Sequence, residues 1–145
     1  MPTEIRNYAT TDLEECGKLF LEIFGPNGCG ESWTLETSIQ HVSDNTGSPE
    51  YCFVAVEQGK IIGLVLAMPV AREMNFDIFI DTLGVLSSSQ GQHIGSSLMD
   101  KVKEIGKANG AKHIRLLGNK KFMSFDWYLH KGLKPSGWVE LEQSI

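Results

Sequence analysis

The run Gln90-Gly91-Gln92-His93-Ile94-Gly95-Ser96-Ser97-Leu98-Met99 places a glycine-containing turn between a mostly apolar stretch and an amphipathic one. Ahead of it, Ile78 to Leu86 reads as a strand that the serines at 87 to 89 terminate. Behind it, Ile94, Leu98, Val102 and Ile105 recur at helical spacing with charges between them. A strand feeding a helix through such a turn aims several backbone N–H groups and the positive end of the helix dipole at one point. The chemistry expected there is the binding of an anion, a phosphate above all. Taken alone the pattern is shared with turns whose glycine is only sterically permissive, so the surrounding elements have to decide it.

Those elements alternate along the chain, with no internal repeat and no low-complexity tract. Ile5 to Tyr8 forms a short strand, and Thr11 or Asp12 is the expected N-cap of a helix that carries Leu13, Cys16, Leu19, Phe20 and Ile23 on one face. Phe24-Gly25-Pro26-Asn27-Gly28-Cys29-Gly30 ends that helix. A second begins around Ser32 to Thr34, with Leu35, Ile39 and Val42 as its stripe. Cys52 to Val56 and Lys60 to Met68 form a hairpin joined by Glu57-Gln58-Gly59, which has the Gly of a hairpin turn. The strand before the turn, the helix after it to about Asn109-Gly110, and Lys112 to Leu117 complete a βαβ unit that should pair in parallel. A last helix holds Tyr128, and the alternation of Trp138-Val139-Glu140-Leu141-Glu142 predicts a final strand. Periodicity alone establishes an α/β chain with a hairpin.

Composition narrows the classes. The 145 residues suit one domain, 1–145, with a core of its own. A formal net charge of −5 with dispersed lysine argues against nucleic acid as the main partner and favours a neutral or cationic one. No apolar run is long enough for a bilayer, and Met1 to Arg6 lacks the basic start and apolar centre of a signal peptide, so a cytoplasmic protein without membrane contact is expected. Three scattered cysteines, Cys16, Cys29 and Cys52, provide neither a paired C-x-x-C for a metal nor a disulfide framework, and reduced thiols and no metal are expected.

The turn resembles motif A of the GNAT family of N-acetyltransferases, written Q/R-x-x-G-x-G/A, with Gln90 in the first position, Gly95 in the last and His93 where the family usually has its first glycine. Val85 to Gly91 is similar to the strand end V-x-P-x-x-R/Q-G, with Ser87 in place of proline, and Trp127-Tyr128-Leu129-His130-Lys131-Gly132-Leu133 is similar to F-Y-E-K-L-G-F. Two motifs in the right order and about the expected distance apart are far more specific than either alone. With the element order, the resemblance covers essentially the whole chain. It implies a mixed central sheet splayed between strands 4 and 5 and flanked by about four helices.

The activity that the resemblance implies is transfer of an acetyl group from acetyl coenzyme A to a primary amine through a tetrahedral intermediate. Leu83, Gly84 and Val85 would hold the pantetheine arm as an added strand, with Gly84 admitting close approach. The N–H groups of Gly91, Gln92, His93, Ile94, Gly95 and Ser96 would hold the pyrophosphate, with Gln90 at the turn, and Lys121, where relatives often have an Asn, reaching a phosphate. An amide near Leu83 or Gly84 would stabilise the oxyanion. Tyr128 holds the position that in many relatives protonates the departing thiolate, suited to it by a phenol pKa of ~10. By its residues alone a Tyr beside Trp127 is as readily a packing group.

The group that takes the amine's proton is left open by the sequence. Thr82 stands where relatives often have a Glu, and Asp81 is next to it, on the opposite face if the strand alternates regularly. Asp81, Glu31, Asp77 and Glu73 are candidates, as is water ordered by Thr82. Glu31-Ser32-Trp33-Thr34-Leu35-Glu36-Thr37 resembles the E-P-W-x-x-x-W-T-x-E-T stretch of bacterial relatives, where the acceptor pocket lies, and an aromatic beside acids suits a small cationic amine. Rival expectations are a catalytically silent acyl-CoA sensor, a protein N-terminal acetyltransferase, and a cysteine hydrolase pairing Cys29 with His41 or His130. The short C-terminal part after Trp138 leaves a sheet edge for a second subunit, so a homodimer is expected.

Overall fold

The computed structural model describes residues 3–145. Five strands form one sheet in the order of the chain: β1 (Glu4–Asn7), β2 (Phe53–Glu57), β3 (Lys60–Ala71), β4 (Phe76–Val85) and β5 (Ile114–Leu116). The first four run antiparallel to their neighbours, and β5 lies parallel to β4. The hairpin of β2 and β3 turns through Gln58 and Gly59, both at positive φ (53° and 76°), the backbone that a two-residue hairpin needs to match strand twist. This is the mixed sheet of the expected fold.

Four helices flank it: α1 (Leu13–Phe24), α2 (Leu35–Asp44), α3 (Ile94–Ala108) and α4 (Met123–His130). The glycines of the sheet show which face each helix covers. A Cβ on Gly63 would lie 3.3 Å from Leu98 and 3.4 Å from Ile94 of α3, whereas a Cβ on Gly84 would lie 3.1 Å from Phe24 and 3.2 Å from Ile23 of α1. Since Gly63 pairs with Val85 and Leu64 with Gly84, α1 and α3 sit on opposite faces. Between them Leu64, Leu66, Ile78, Leu98, Met99 and Val102 are fully buried. Each such side chain contributes about 1.5–3 kcal/mol. An exposed ion pair such as Lys18 with Glu14 contributes about 0.3–0.5 kcal/mol, so the fold is held by its core.

Helix α2 starts where the sequence predicts, because Thr34 and Thr37 cap each other: the Thr34 hydroxyl accepts the Thr37 N–H at 3.1 Å and Thr37 Oγ1 accepts the Thr34 N–H at 2.9 Å. It lies close against α1, since Gly17 presents only hydrogen toward Ile39. At its end Asn45 donates its side-chain amide to the His41 carbonyl at 2.8 Å. Asp12 stands at the N-cap of α1, as expected, but its side chain bonds elsewhere: its buried carboxylate accepts the Ala9 N–H at 2.8 Å and both Arg6 terminal nitrogens at 2.8 and 3.0 Å, tying the chain after β1 to a 3-10 turn that precedes α1.

One expected element is not formed. Residues 138–142 are irregular, with Trp138, Val139 and Leu141 strongly exposed. Alternation there has no neighbouring strand to pair with, and an alternating pattern becomes a strand only when its backbone groups find a ladder.

Candidate active site

Strand β5 pairs with β4 only at Ile78↔Ile114, Phe79↔Arg115 and Ile80↔Leu116. From Thr82 to Val85, β4 keeps β3 on one side and has no strand on the other among the described residues. The sheet therefore splays between strands 4 and 5, as expected, and the backbone of Thr82, Leu83, Gly84 and Val85 borders the gap. A free strand edge in a narrow gap can accept an extended amide-containing ligand as an additional strand. The space beside Gly84 is taken on one face by Phe24 and Ile23, so its missing side chain seats α1.

At the end of β4 the chain makes a 3-10 turn at Ser87–Ser89, and the Gln90 amide donates to the Val85 carbonyl at 3.2 Å, closing the turn. Gly91 and His93 then both take positive φ (84° and 62°), with ordinary helix beginning at Ile94. The first helical hydrogen bond is Ser97 N–H to His93 O at 3.0 Å. Among the described residues, none of the six amides from Gly91 to Ser96 donates to another protein group, so they form a nest of free donors at the positive end of α3. The Ile94 side chain is buried in the core and offers only its backbone.

His93 occupies the left-handed conformation that glycine takes without cost, and its imidazole is exposed. The position demands a backbone angle rather than an imidazole. His93→Gly is thus expected to raise stability by up to ~1 kcal/mol in thermal denaturation and to leave coenzyme A affinity unchanged in calorimetry. A tenfold loss of affinity would instead make the imidazole a phosphate ligand.

The acidic side of the gap is organised by a break in β4. Leu66 pairs with Thr82 and Ala67 with Ile80, so Asp81 has no partner on β3 and forms a β-bulge. Ile78 and Ile80 face α3, where Ile78 packs on Gly106; Thr82 and Gly84 face α1. The extra residue turns Asp81 to the same side as Thr82, and the expectation that regular alternation would send them to opposite faces is corrected. Thr82 Oγ1 donates to Asp81 Oδ2 at 2.7 Å. His41 Nε2, reaching down from α2, lies 2.7 Å from Asp81 Oδ2 and 3.2 Å from Thr82 Oγ1. Burial alone would raise the Asp81 pKa, but the hydrogen bonds from His41 and Thr82 outweigh it and hold the carboxyl below its usual range.

The His41 ring forms a three-ring cluster with Phe20 (centroids 4.6 Å) and Trp33 (5.0 Å), in which Trp33 also meets Phe20 edge-on at 4.8 Å. Trp33 Nε1 donates to Glu31 Oε1 at 2.9 Å. Glu31, Trp33, Asp81 and Thr82, singled out separately in the sequence, are thus joined through His41. Trp33 also lines a cleft of about 410 Å3 bounded by Lys18, Leu21, Glu22, Pro26, Asn27 and Thr34.

Across the gap, Trp127 of α4 lies 3.6 Å from where a Gly95 Cβ would be, which sets α4 against the first turn of α3. The Lys131 ammonium stands 5.5 Å from the Trp127 ring centroid, a cation–π contact that the sequence reading did not single out. Tyr128, next to Trp127, is half-buried against the core, and burial raises its phenol pKa, which keeps the O–H protonated. Lys121 has an exposed side chain, while its N–H bonds to Asn119 Oδ1 at 2.9 Å.

Asp77, another candidate base, is committed elsewhere: its buried carboxylate accepts Arg115 Nε at 2.7 Å, His113 Nδ1 at 3.1 Å and Arg72 Nε at 3.2 Å, tying β5 to the β3–β4 hairpin. The Cys29 thiol is pushed up by partial burial and then by Glu31, the reverse of what a nucleophilic cysteine needs. Burial raises Cys16 to about 12 and Cys52 to about 11. Among the described residues no hydrogen bond joins Cys29 to His41 or His130, and His130 Nδ1 is held by the Asp126 carbonyl at 2.8 Å. Nothing in this arrangement makes a cysteine hydrolase.

A splayed mixed sheet whose fourth strand leads through a nest of free amides into α3 is the architecture of acetyltransferases. The chain belongs to the acetyltransferase (GNAT) family, whose model matches residues 13–125. Solved structures share the fold. An aminoglycoside acetyltransferase from an uncultured soil metagenomic sample is 19% identical, with a TM-score of 0.76 over 100% of this chain and 99% of that one. The aminoglycoside N-acetyltransferase AAC(6')-Iy in complex with CoA is 18% identical, with a TM-score of 0.72 over 99% and 92%. A ribosomal-protein-alanine N-acetyltransferase from Brucella melitensis biovar Abortus 2308 is 12% identical, with a TM-score of 0.77 over 99% and 100%. No curated protein sequence matches the chain. No helix among the described residues is long and apolar enough to cross a membrane.

Proposed function

We propose that this protein transfers the acetyl group of acetyl coenzyme A to a primary amine of a small cationic acceptor in the cytoplasm. The observation that carries the reading is the adjacency of the open β4 edge from Thr82 to Val85 and the six free amides from Gly91 to Ser96. An extended pantetheine and a pyrophosphate have that same sequence of hydrogen-bonding needs. The thioester then lies beside Leu83 and Gly84, whose amides are the available donors for the oxyanion of the tetrahedral intermediate. Tyr128 supplies the proton to the departing sulfur, and its raised pKa keeps that proton in place at neutral pH.

The acceptor enters from the α1–α2 side. Glu31 and Asp81 provide negative charge, and the partly exposed Trp33 ring provides a face that attracts an ammonium group. The cleft beside Trp33 has room for an aminosugar or a polyamine segment. Aminoglycoside acetyltransferases among the proteins of like fold support a small-molecule amine.

Calorimetry with acetyl coenzyme A, followed by thiol release against polyamines, aminosugars, amino acids and peptides, tests the reading. Binding with thiol release on a small cationic amine is the expected result. Release on peptide N-termini alone would make the protein an N-terminal acetyltransferase, and binding without release a silent acyl-CoA sensor. No binding would overturn the reading.

A further inference from the structure

We infer that His41 is the general base of the reaction, accepting the amine's proton at Nδ1 while Asp81 and Thr82 hold the ring by Nε2. The inference rests on the acetyltransferase reading above and names a residue on α2, forty positions from the strand that lines the gap.

The hydrogen-bond pattern fixes which ring nitrogen is free. An ionised carboxylate only accepts, and Asp81 Oδ2 already accepts the Thr82 hydroxyl proton at 2.7 Å. The 2.7 Å contact from His41 Nε2 to the same oxygen therefore requires a proton on Nε2. Thr82 Oγ1, its own proton directed at Asp81, can only receive a share of that N–H at 3.2 Å. Asn45 Nδ2 approaches Nε2 at 3.5 Å but donates to the His41 carbonyl at 2.8 Å. In a neutral imidazole the second nitrogen then carries a lone pair, and Nδ1 has no hydrogen-bond partner among the described residues.

The ring cannot readily turn to exchange its nitrogens. Phe20 from α1 lies against the ring at 4.6 Å, Trp33 from the α1–α2 loop meets it edge-on at 5.0 Å, and Asp81 and Thr82 from β4 hold it at Nε2. Asp81 is the ionisable group hydrogen-bonded to it, with Glu31 one step away behind Trp33. The ring sits where β4 parts from β5, beside the backbone expected to carry the thioester. Asp81 is a positioning residue here, and its charge stabilises the imidazolium once the proton arrives.

The step balances without another reagent. One proton of R–NH3+ passes to His41 Nδ1, across at most one water, and the freed nitrogen lone pair forms the C–N bond to the thioester carbonyl. As the tetrahedral centre collapses, the C–S bond breaks with its electron pair on sulfur. The second proton leaving nitrogen replaces the one that Tyr128 gives to the sulfur. His41 returns its proton to solvent, and the products are the N-acetylamine, the free thiol of coenzyme A and one proton.

Two measurements decide it. In long-range 1H–15N spectra of histidine-labelled free protein, His41 should show a bare Nδ1 and a protonated Nε2 when neutral; the opposite tautomer would overturn the proposal without any assay. In turnover on the acceptor found above, His41→Gln should lower kcat about 10²–10⁴-fold and remove the rising limb of the kcat/KM–pH profile, with coenzyme A affinity unchanged. Added imidazole should restore part of the rate to His41→Ala. Asp81→Asn should invert the tautomer and lower kcat while leaving the limb. If His41→Gln keeps the rate and the limb, and Asp81→Asn abolishes them, Asp81 is the base and the proposal fails alone. If wild-type protein acetylates nothing, the proposed function fails, and the base with it.

Discussion

Tyr128→Phe is expected to lower kcat about 10²–10⁴-fold, the range for loss of a positioned general acid, while coenzyme A binds as before. Phe keeps the ring that packs beside Trp127 and against the core, so stability should not change, and only the proton is removed. Burial raises the Tyr128 pKa. The acid form is therefore present throughout the neutral range, and the rate should fall only as pH rises above the ordinary tyrosine value of ~10. In the Phe variant that falling limb should be absent. The check is kcat against pH for both proteins, with calorimetry on the same samples. An undiminished kcat in the variant would assign the ring to packing and leave the sulfur to be protonated by solvent.

Ser96→Asp should separate stability from binding, because the two effects have opposite signs. Ser96 is the third residue of α3 and belongs to the nest of free amides. A carboxylate in the first turn of a helix interacts favourably with the dipole, by about 0.3–1 kcal/mol, so the melting temperature should hold or rise slightly. The same charge about 5 Å from a pyrophosphate, at an effective dielectric constant of about 20, costs about 3 kcal/mol, or roughly a hundredfold in affinity. Ser96→Ala, which removes one hydroxyl and keeps the amide, should lose less than about tenfold. Calorimetry at two salt concentrations distinguishes the charge effect, since screening should shrink the deficit of the Asp variant. Equal affinity in wild-type and Asp proteins would place the phosphates elsewhere.

The strand, turn and helix of the candidate donor half were legible because they are local. Strand, turn and helix are contiguous from Ile78 to Val102, and the hydrogen-bonding groups concerned belong to the backbone, so short-range pattern is enough to locate them. The hairpin and the two N-terminal helices were legible for the same reason, down to the start of α2 beside Thr34. The acceptor half was legible only as parts. Glu31, Trp33, Asp81 and Thr82 stood out by type, but what joins them is His41, on a helix whose stripe of Leu35, Ile39 and Val42 gives no sign that a residue beside it meets a strand forty positions on. The bulge was invisible because the hydrophobic pattern on either side of Asp81 reads as ordinary alternation until the register with β3 is known. The missing strand at 138–142 erred the other way, since pattern was present and a partner was not.

The bulge has a bearing on how such a site can be gained and lost. Ile78 and Ile80 face one side of the sheet and Thr82 and Gly84 the other, and a strand with residue 81 excised would join those two phases without a fault, every remaining side chain keeping its neighbours. Asp81 is thus supernumerary to the pleat: the two phases of the strand meet without it, and the acid that holds His41 is the extra residue of a bulge. A chain shortened by that one residue would retain the scaffold and its anion nest while losing the carboxylate that orients the imidazole.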